Sequence, residues 1–254
     1  MVDRPVVRNM FFLRVLISAF AVCAIGWVVS VLPFFLSEMA IARTADRVML
    51  GDVFSLSALD AISQNGGAGT AERLRSSTLA KLAIIELRIA ELSVSKMGME
   101  GADGALSVAR QSIINALRES PSESFLWLSL VWLDADQSNQ LRYLRQSYKY
   151  GPHEGWIAVR RIWFALKLFD RLPADLADCA TAEFVDLIRS HQYSDAAEII
   201  AGPGWPIRQL LLSKTKDVDD VDRNVFAKVL RSKGLDELVV PDTEPAWNRP
   251  WQRG

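Results

Sequence analysis

Trp132, Tyr143, Tyr148 and Tyr150 are interleaved with Arg142, Arg145, Lys149, Arg160 and Arg161. Guanidinium and ammonium groups stack on aromatic faces and pair with carboxylates. A surface built from these residues would hold an acidic peptide or an anionic glycan. The residues expected to touch a partner are Trp132, Arg142, Tyr143, Arg145, Lys149 and Arg160, joined by Trp247 and Trp251 of the C-terminal tail. That tail, from Val239 on, holds three prolines beside its two tryptophans. Polyproline-like segments with bulky anchors dock in grooves, here on the chain's own domain or on a partner. The competing reading of the charges is a solvated face, and of Trp127 and Trp156 a helical core.

Catalytic groupings are hard to find. The chain has two histidines, His153 after a proline turn and His191 at a helix–turn junction. Neither has a second His or a Cys at metal-ligand spacing. No G-x-S-x-G elbow, Walker A loop or HExxH helix occurs. Asp217, Asp219, Asp220 and Asp222 form the densest acidic cluster. A calcium loop counted from Asp217 would need Gly at Asp222 and Glu at Lys228, so a helix N-terminus that favours carboxylates accounts for the cluster better. The expected site therefore contains no catalytic, cofactor-binding or metal-binding residue, no cofactor is expected, and the chain is read as non-enzymatic.

Charge and cysteine content narrow the partners further. The first 36 residues take three of the 29 basic and one of the 30 acidic residues, leaving 26 and 29 and a formal charge of −3 for the remainder. That balance argues against nucleic acid and against anionic lipid as partners of the remainder. Cys179 is alone outside the N-terminal apolar run, which holds Cys23, so no disulfide can close within that remainder. Cys179 reads as a small buried residue.

Residues 15–36 carry no charged side chain, and Arg4, Arg8 and Arg14 precede them. At ~1.5 Å per residue a helix of this length matches a bilayer core of ~30 Å. The expectation is a single N-terminal transmembrane helix, with residues 1–14 cytoplasmic by the positive-inside rule. The alternative is a cleaved signal peptide, with Ala40-Ile41-Ala42 as the small-x-small site. The expected localisation is a bacterial inner membrane, single-pass, with the C-terminal domain periplasmic.

The remaining sequence has to position the candidate surface, and it reads as helical nearly throughout. Residues 37–69 form a stem, with Ile41, Ala45, Val48, Phe54, Leu56, Leu59 and Ile62 at helical spacing. Gln64 to Gly69 is glycine-rich and reads as a hinge. Residues 70–234 form the helical domain and 235–254 the tail. Ser120-Pro121-Ser122-Glu123 reads as a helix start, with Ser120 as cap and Glu123 closing a capping box. Lys233-Gly234 reads as a helix stop.

Within that domain Ala109, Ile113, Ala116 and Pro121 step by 4, 3 and 5, with Trp127 six and Leu130 nine residues after the proline. Leu144, Ser147 and Pro152 repeat the 3 and 5 steps. This resembles the tetratricopeptide pattern, over residues 105–170. Here Gln140 replaces the expected small residue, and Val131 and Asp134 replace the usual Gly and Tyr. The resemblance implies an all-α fold, an array of helical hairpins with degenerate repeats behind the membrane helix, and protein–protein binding on a concave face. The function so implied is a membrane-anchored scaffold for a protein partner of a bacterial envelope assembly, in surface-polysaccharide export, secretion or division. Two alternatives are an accessory subunit docked through its membrane helix and an α-helical glycan-acting enzyme.

Overall fold

The computed structural model describes residues 4–67, 76–152 and 154–243. Among them the chain is all-α, with eleven α-helices and no strand, an array compatible with a helical-repeat fold. The glycine-rich segment beyond Gly67, His153 and the tail tryptophans Trp247 and Trp251 lie outside the described residues. The chain divides into two compact units, Met1–Ser120 and Pro121–Gly254. That boundary lies inside the repeat-like stretch.

Unit 1 contains α1 (Arg4–Met49), α2 (Leu56–Gly67), α3 (Ser76–Gly101) and α4 (Asp103–Glu119). Ile41, Ala45, Leu59, Leu82, Ile85 and Ile89 form its buried centre, with Val48, Phe54 and Ile62 packed around them. The apolar stem residues do not share one helix as the spacing suggests. Gly51 takes φ 89° and turns the chain after α1, and Ser55 starts α2 by accepting the Ala58 N–H at 3.3 Å. Gly98, at φ 75°, puts a non-helical residue inside α3. Only glycine adopts such positive φ cheaply. Of the expected hinge, Gln64 to Gly67 belong to α2, and Ala68 and Gly69 lie outside the described residues.

The expected transmembrane helix at 15–36 is corrected by the structure. No helix among the described residues is long and apolar enough to cross a membrane. The segment is part of one 46-residue helix, α1, whose last turns belong to the core of unit 1. The uncharged run is not a helix of its own, because α1 continues without a break through Glu38, Arg43, Asp46 and Arg47 and packs Ile41 and Ala45 into that core.

Unit 2 holds α5 (Ser124–Leu133), α6 (Gln137–Tyr150), α7 (Gly155–Lys167), α8 (Ala174–Arg189), α9 (Tyr193–Ala201), α10 (Arg208–Lys214) and α11 (Asp220–Ser232). Consecutive helices pair, α5 with α6 and α7 with α8, while α5 meets α7, α7 meets α9 and α9 meets α11. Short connections and buried apolar stripes account for this arrangement. Asp136 caps α6 by accepting the Ser138 N–H at 2.8 Å. Asp219 caps α11 by accepting the Asp222 N–H at 2.9 Å. Gly234, at φ 76°, ends α11 as its position predicts. The capping box at Ser120 does not form. Ser120 instead ends α4, Glu123 precedes α5 without a side-chain cap, and the Ser124 hydroxyl turns inward.

Candidate functional site

The mostly apolar interior of unit 2 encloses a polar network, and the sequence pattern of α7 explains how a cation arrives there. Ile157, Ala158, Ile162 and Ala165 are buried on one side of the helix, and Arg161 lies on that same stripe. Its side chain has 0% exposure. Nε donates to Glu183 Oε1 of α8 at 3.0 Å, and Nη2 also donates to that oxygen. Nη1 donates to the carbonyls of Ser147 at 3.0 Å and Gly151 at 2.9 Å. The guanidinium lies over the Tyr148 ring, 4.2 Å from its centroid, and the Tyr148 hydroxyl donates to Glu183 Oε2 at 2.9 Å. Ser124 closes the network by donating to the Ser147 carbonyl at 3.0 Å.

The network is a satisfied buried ion pair, the condition under which a buried charge is tolerated. Burial pushes the Glu183 carboxyl above the ordinary carboxylate range, against the pull of Arg161 and the Tyr148 hydroxyl. Burial likewise raises the Tyr148 phenol well above its usual value, aided by the charge of Glu183. Gly151 is required beside the pair, because a Cβ there would collide with the Ser124 side chain.

A cavity of about 250 Å³ opens next to this pair, between the start of α7 and the end of α8. Gly155, Ala158, Glu183, Asp186, Arg189 and Gln192 contribute to its wall. Arg189 is held by Asp186 Oδ1 at 3.1 Å and by the Asp217 carbonyl at 2.8 Å. The wall is therefore polar, with its charges already paired.

His191 stands at the end of α8 with φ 61°, a left-handed conformation usual for glycine. Its Nδ1 lies 2.7 Å from the Tyr193 hydroxyl, which donates to Asp222 Oδ1 at 2.6 Å. That bond to Asp222 pushes the Tyr193 phenol up to about 12. The acidic cluster around it is consumed locally. Asp219 caps α11, Asp220 pairs with Arg223 and Asp222 accepts from Tyr193. Among the described residues no group of three or more His, Cys, Asp or Glu could hold a metal ion.

The residues expected to form one basic aromatic surface are dispersed. Tyr143 is buried and stacks on Trp127, with centroids 6.0 Å apart. Tyr148 and Arg161 belong to the interior network. Arg145 is exposed and forked onto the Asp175 carboxylate. Arg142 is exposed, donates to Asn139 at 3.0 Å and covers the Tyr143 ring. Lys149 is exposed beside the Tyr150 ring, at 5.1 Å. Trp132 is half-buried. Arg160 is likewise exposed, its guanidinium 5.8 Å from the Phe125 ring centroid, so the exposed cations Arg142, Lys149 and Arg160 each lie over a different ring. Cys179 differs as well, because it is exposed and not buried.

Sequence reading missed Glu183 and the inward role of Arg161. The available signal was the place of Arg161 on the apolar stripe of α7, which demands a buried partner. It also passed over the opposite face of α7, where Trp156, Arg160, Trp163 and Lys167 are all exposed. Comparison with protein-family models, curated proteins and solved structures finds no significant match to this chain.

Proposed function

We propose that unit 2 is a non-enzymatic binding module of degenerate tetratricopeptide type that holds a protein partner. The repeat reading is supported by the paired helices and by contacts between alternate helices from α5 to α11. It is further supported by Ser147, a small residue with 0% exposure where the pattern wants one, followed by Pro152 after five steps. The observation that carries the binding role is the outer face of α7. Trp156 is 51% and Trp163 37% exposed, an arrangement that costs hydration unless a partner covers it.

The test is site-specific photo-crosslinking in cells, using the full chain. One variant carries the photoreactive side chain at Trp156, a second at Val221 of α11, which is 72% exposed. A discrete polypeptide adduct is expected from the first. Adducts from neither position would remove the binding-module reading. An adduct from Val221 alone would keep the module and remove the α7 face from it.

A further inference from the structure

The same face of α7 specifies the chemistry of what covers it; the inference rests on the binding-module reading. Trp156, Arg160, Trp163 and Lys167 follow one another at steps of 4, 3 and 4 and share one side of the helix. Phe125 of α5 extends the strip, its ring 5.2 Å from Trp156 and under the Arg160 guanidinium. At the other end Trp163 lies on Gly202, where any Cβ would strike the indole. The indoles are thus seated on backbone and ring, and they remain part-open to solvent.

The strip has a charge of one sign. Between Gly155 and Lys167 there is no carboxylate, and among the described residues neither Arg160 nor Lys167 has an ion-pair partner. Glu154, before the helix, lies toward Gly151, and Asp170, three residues beyond Lys167, is exposed and forms no ion pair with it among the described residues. The third cation of α7, Arg161, is neutralised inside by Glu183. The indole N–H groups of Trp156 and Trp163 also lack described acceptors. Two unpaired cations and two free N–H donors, alternating with flat apolar surface, present donors alone.

We propose that this strip docks an extended acidic segment of a partner protein. Its carboxylates would pair with Arg160 and Lys167, its carbonyls would accept from the indoles, and its apolar side chains would lie on Trp156 and Trp163. The chain's own tail, residues 244–254, is a poor match, because it carries Arg249 and Arg253 against Glu244.

The experiment uses the full-length protein and a fluorescein-labelled peptide of alternating Asp and Leu, with the alternating Lys and Leu peptide as control, read by fluorescence anisotropy. The acidic peptide is expected to bind and to weaken as salt rises, and the basic one to fail. The double variant R160E/K167E, altered only at exposed positions, should lose at least about tenfold in affinity, and W156A a similar factor. Unchanged helical circular dichroism would show that both remain folded.

Equal binding of the two peptides, binding of neither, or an unaffected R160E/K167E would overturn the proposal. So would a large gain in affinity on W247A/W251A, which would make the tail the resident of the strip. Self-association abolished by R160E/K167E would overturn it in favour of a second copy. Crosslinks from Trp156 together with failure of the acidic peptide would leave the binding module standing and remove only its acidic partner.

Discussion

Units 1 and 2 are built from the same kind of helix and both bury apolar side chains, but unit 2 sets an ion pair among them. The centre of unit 1 is a cluster of Ile, Leu and Ala. Its buried Glu38–Thr78 hydrogen bond, at 3.2 Å, joins the same helices as that cluster but lies one to several turns from its central residues. The centre of unit 2 contains a guanidinium and a carboxylate at 0% and 6% side-chain exposure. Non-directional burial tolerates many side chains of suitable volume. A buried ion pair tolerates one partner and one geometry, since a lone charge there has no water to turn to. Unit 2 therefore spends three helices, α6, α7 and α8, on satisfying one arginine. The outer face of α7, which that arginine helps to position, is the surface assigned to the partner.

The largest effect separating the two interiors is expected from R161A. It leaves Glu183 buried without its cation, which costs about 3–5 kcal/mol, read as a lower urea midpoint with faster hydrogen exchange in α6–α8. Burial already raises the Glu183 pKa in the folded state, and Arg161 opposes the rise. In R161A the rise is therefore larger. An acid whose folded pKa is raised contributes its stability below the unfolded value of 4.5, and loses it as pH climbs through the folded value. The deficit of R161A should narrow as pH falls toward 4.5. A deficit independent of pH would place its origin in lost packing.

L59A is the counterpart in unit 1. Leu59 has 0% exposure at the centre of the apolar cluster. Truncation is expected to cost about 2–4 kcal/mol through lost transfer energy and a cavity. Its cost should show little dependence on pH between 4 and 7, unlike that of R161A. Partial rescue by a small apolar gas such as xenon would confirm a dry cavity, and rescue by acid would contradict the contrast between the two interiors.

The smallest effect is expected from D219A, at the exposed start of α11. The Asp222 N–H holds the Asp219 carboxyl below its ordinary range. A group with a lowered folded pKa stabilises above the unfolded value of 3.8 and loses that contribution as pH falls through the folded value. The wild-type advantage over D219A in urea should therefore be present near neutrality and disappear under acid. That is the reverse of the R161A trend, and two parallel trends would break the opposition between buried and capping carboxylates.

Much of the helical framework was legible in the sequence because it depends on local signals. The helix start at the acidic cluster of Asp217 to Asp222 and the stop at Gly234 are visible in neighbouring residues. The stem was misread as one helix because its apolar residues keep helical spacing across a turn, and periodicity is blind to a single left-handed glycine. Ser120 looked like a cap for the same local reason, yet the hydroxyl that turns into the fold is that of Ser124.

The candidate surface was the least legible part. Arg142, Arg145, Lys149, Arg160 and Arg161 are chemically alike in the sequence, and their separation is tertiary. Asp175, thirty residues from Arg145, neutralises one, and Glu183, twenty-two residues from Arg161, draws another inside. What the sequence by itself determined is the all-helical character and the positions of most breaks, because these follow from backbone preferences and spacing within a turn or two. What only the tertiary structure decided is which cations are spent within the fold and which remain for a partner. Pairing depends on distance in space, and residues far apart in the chain set it.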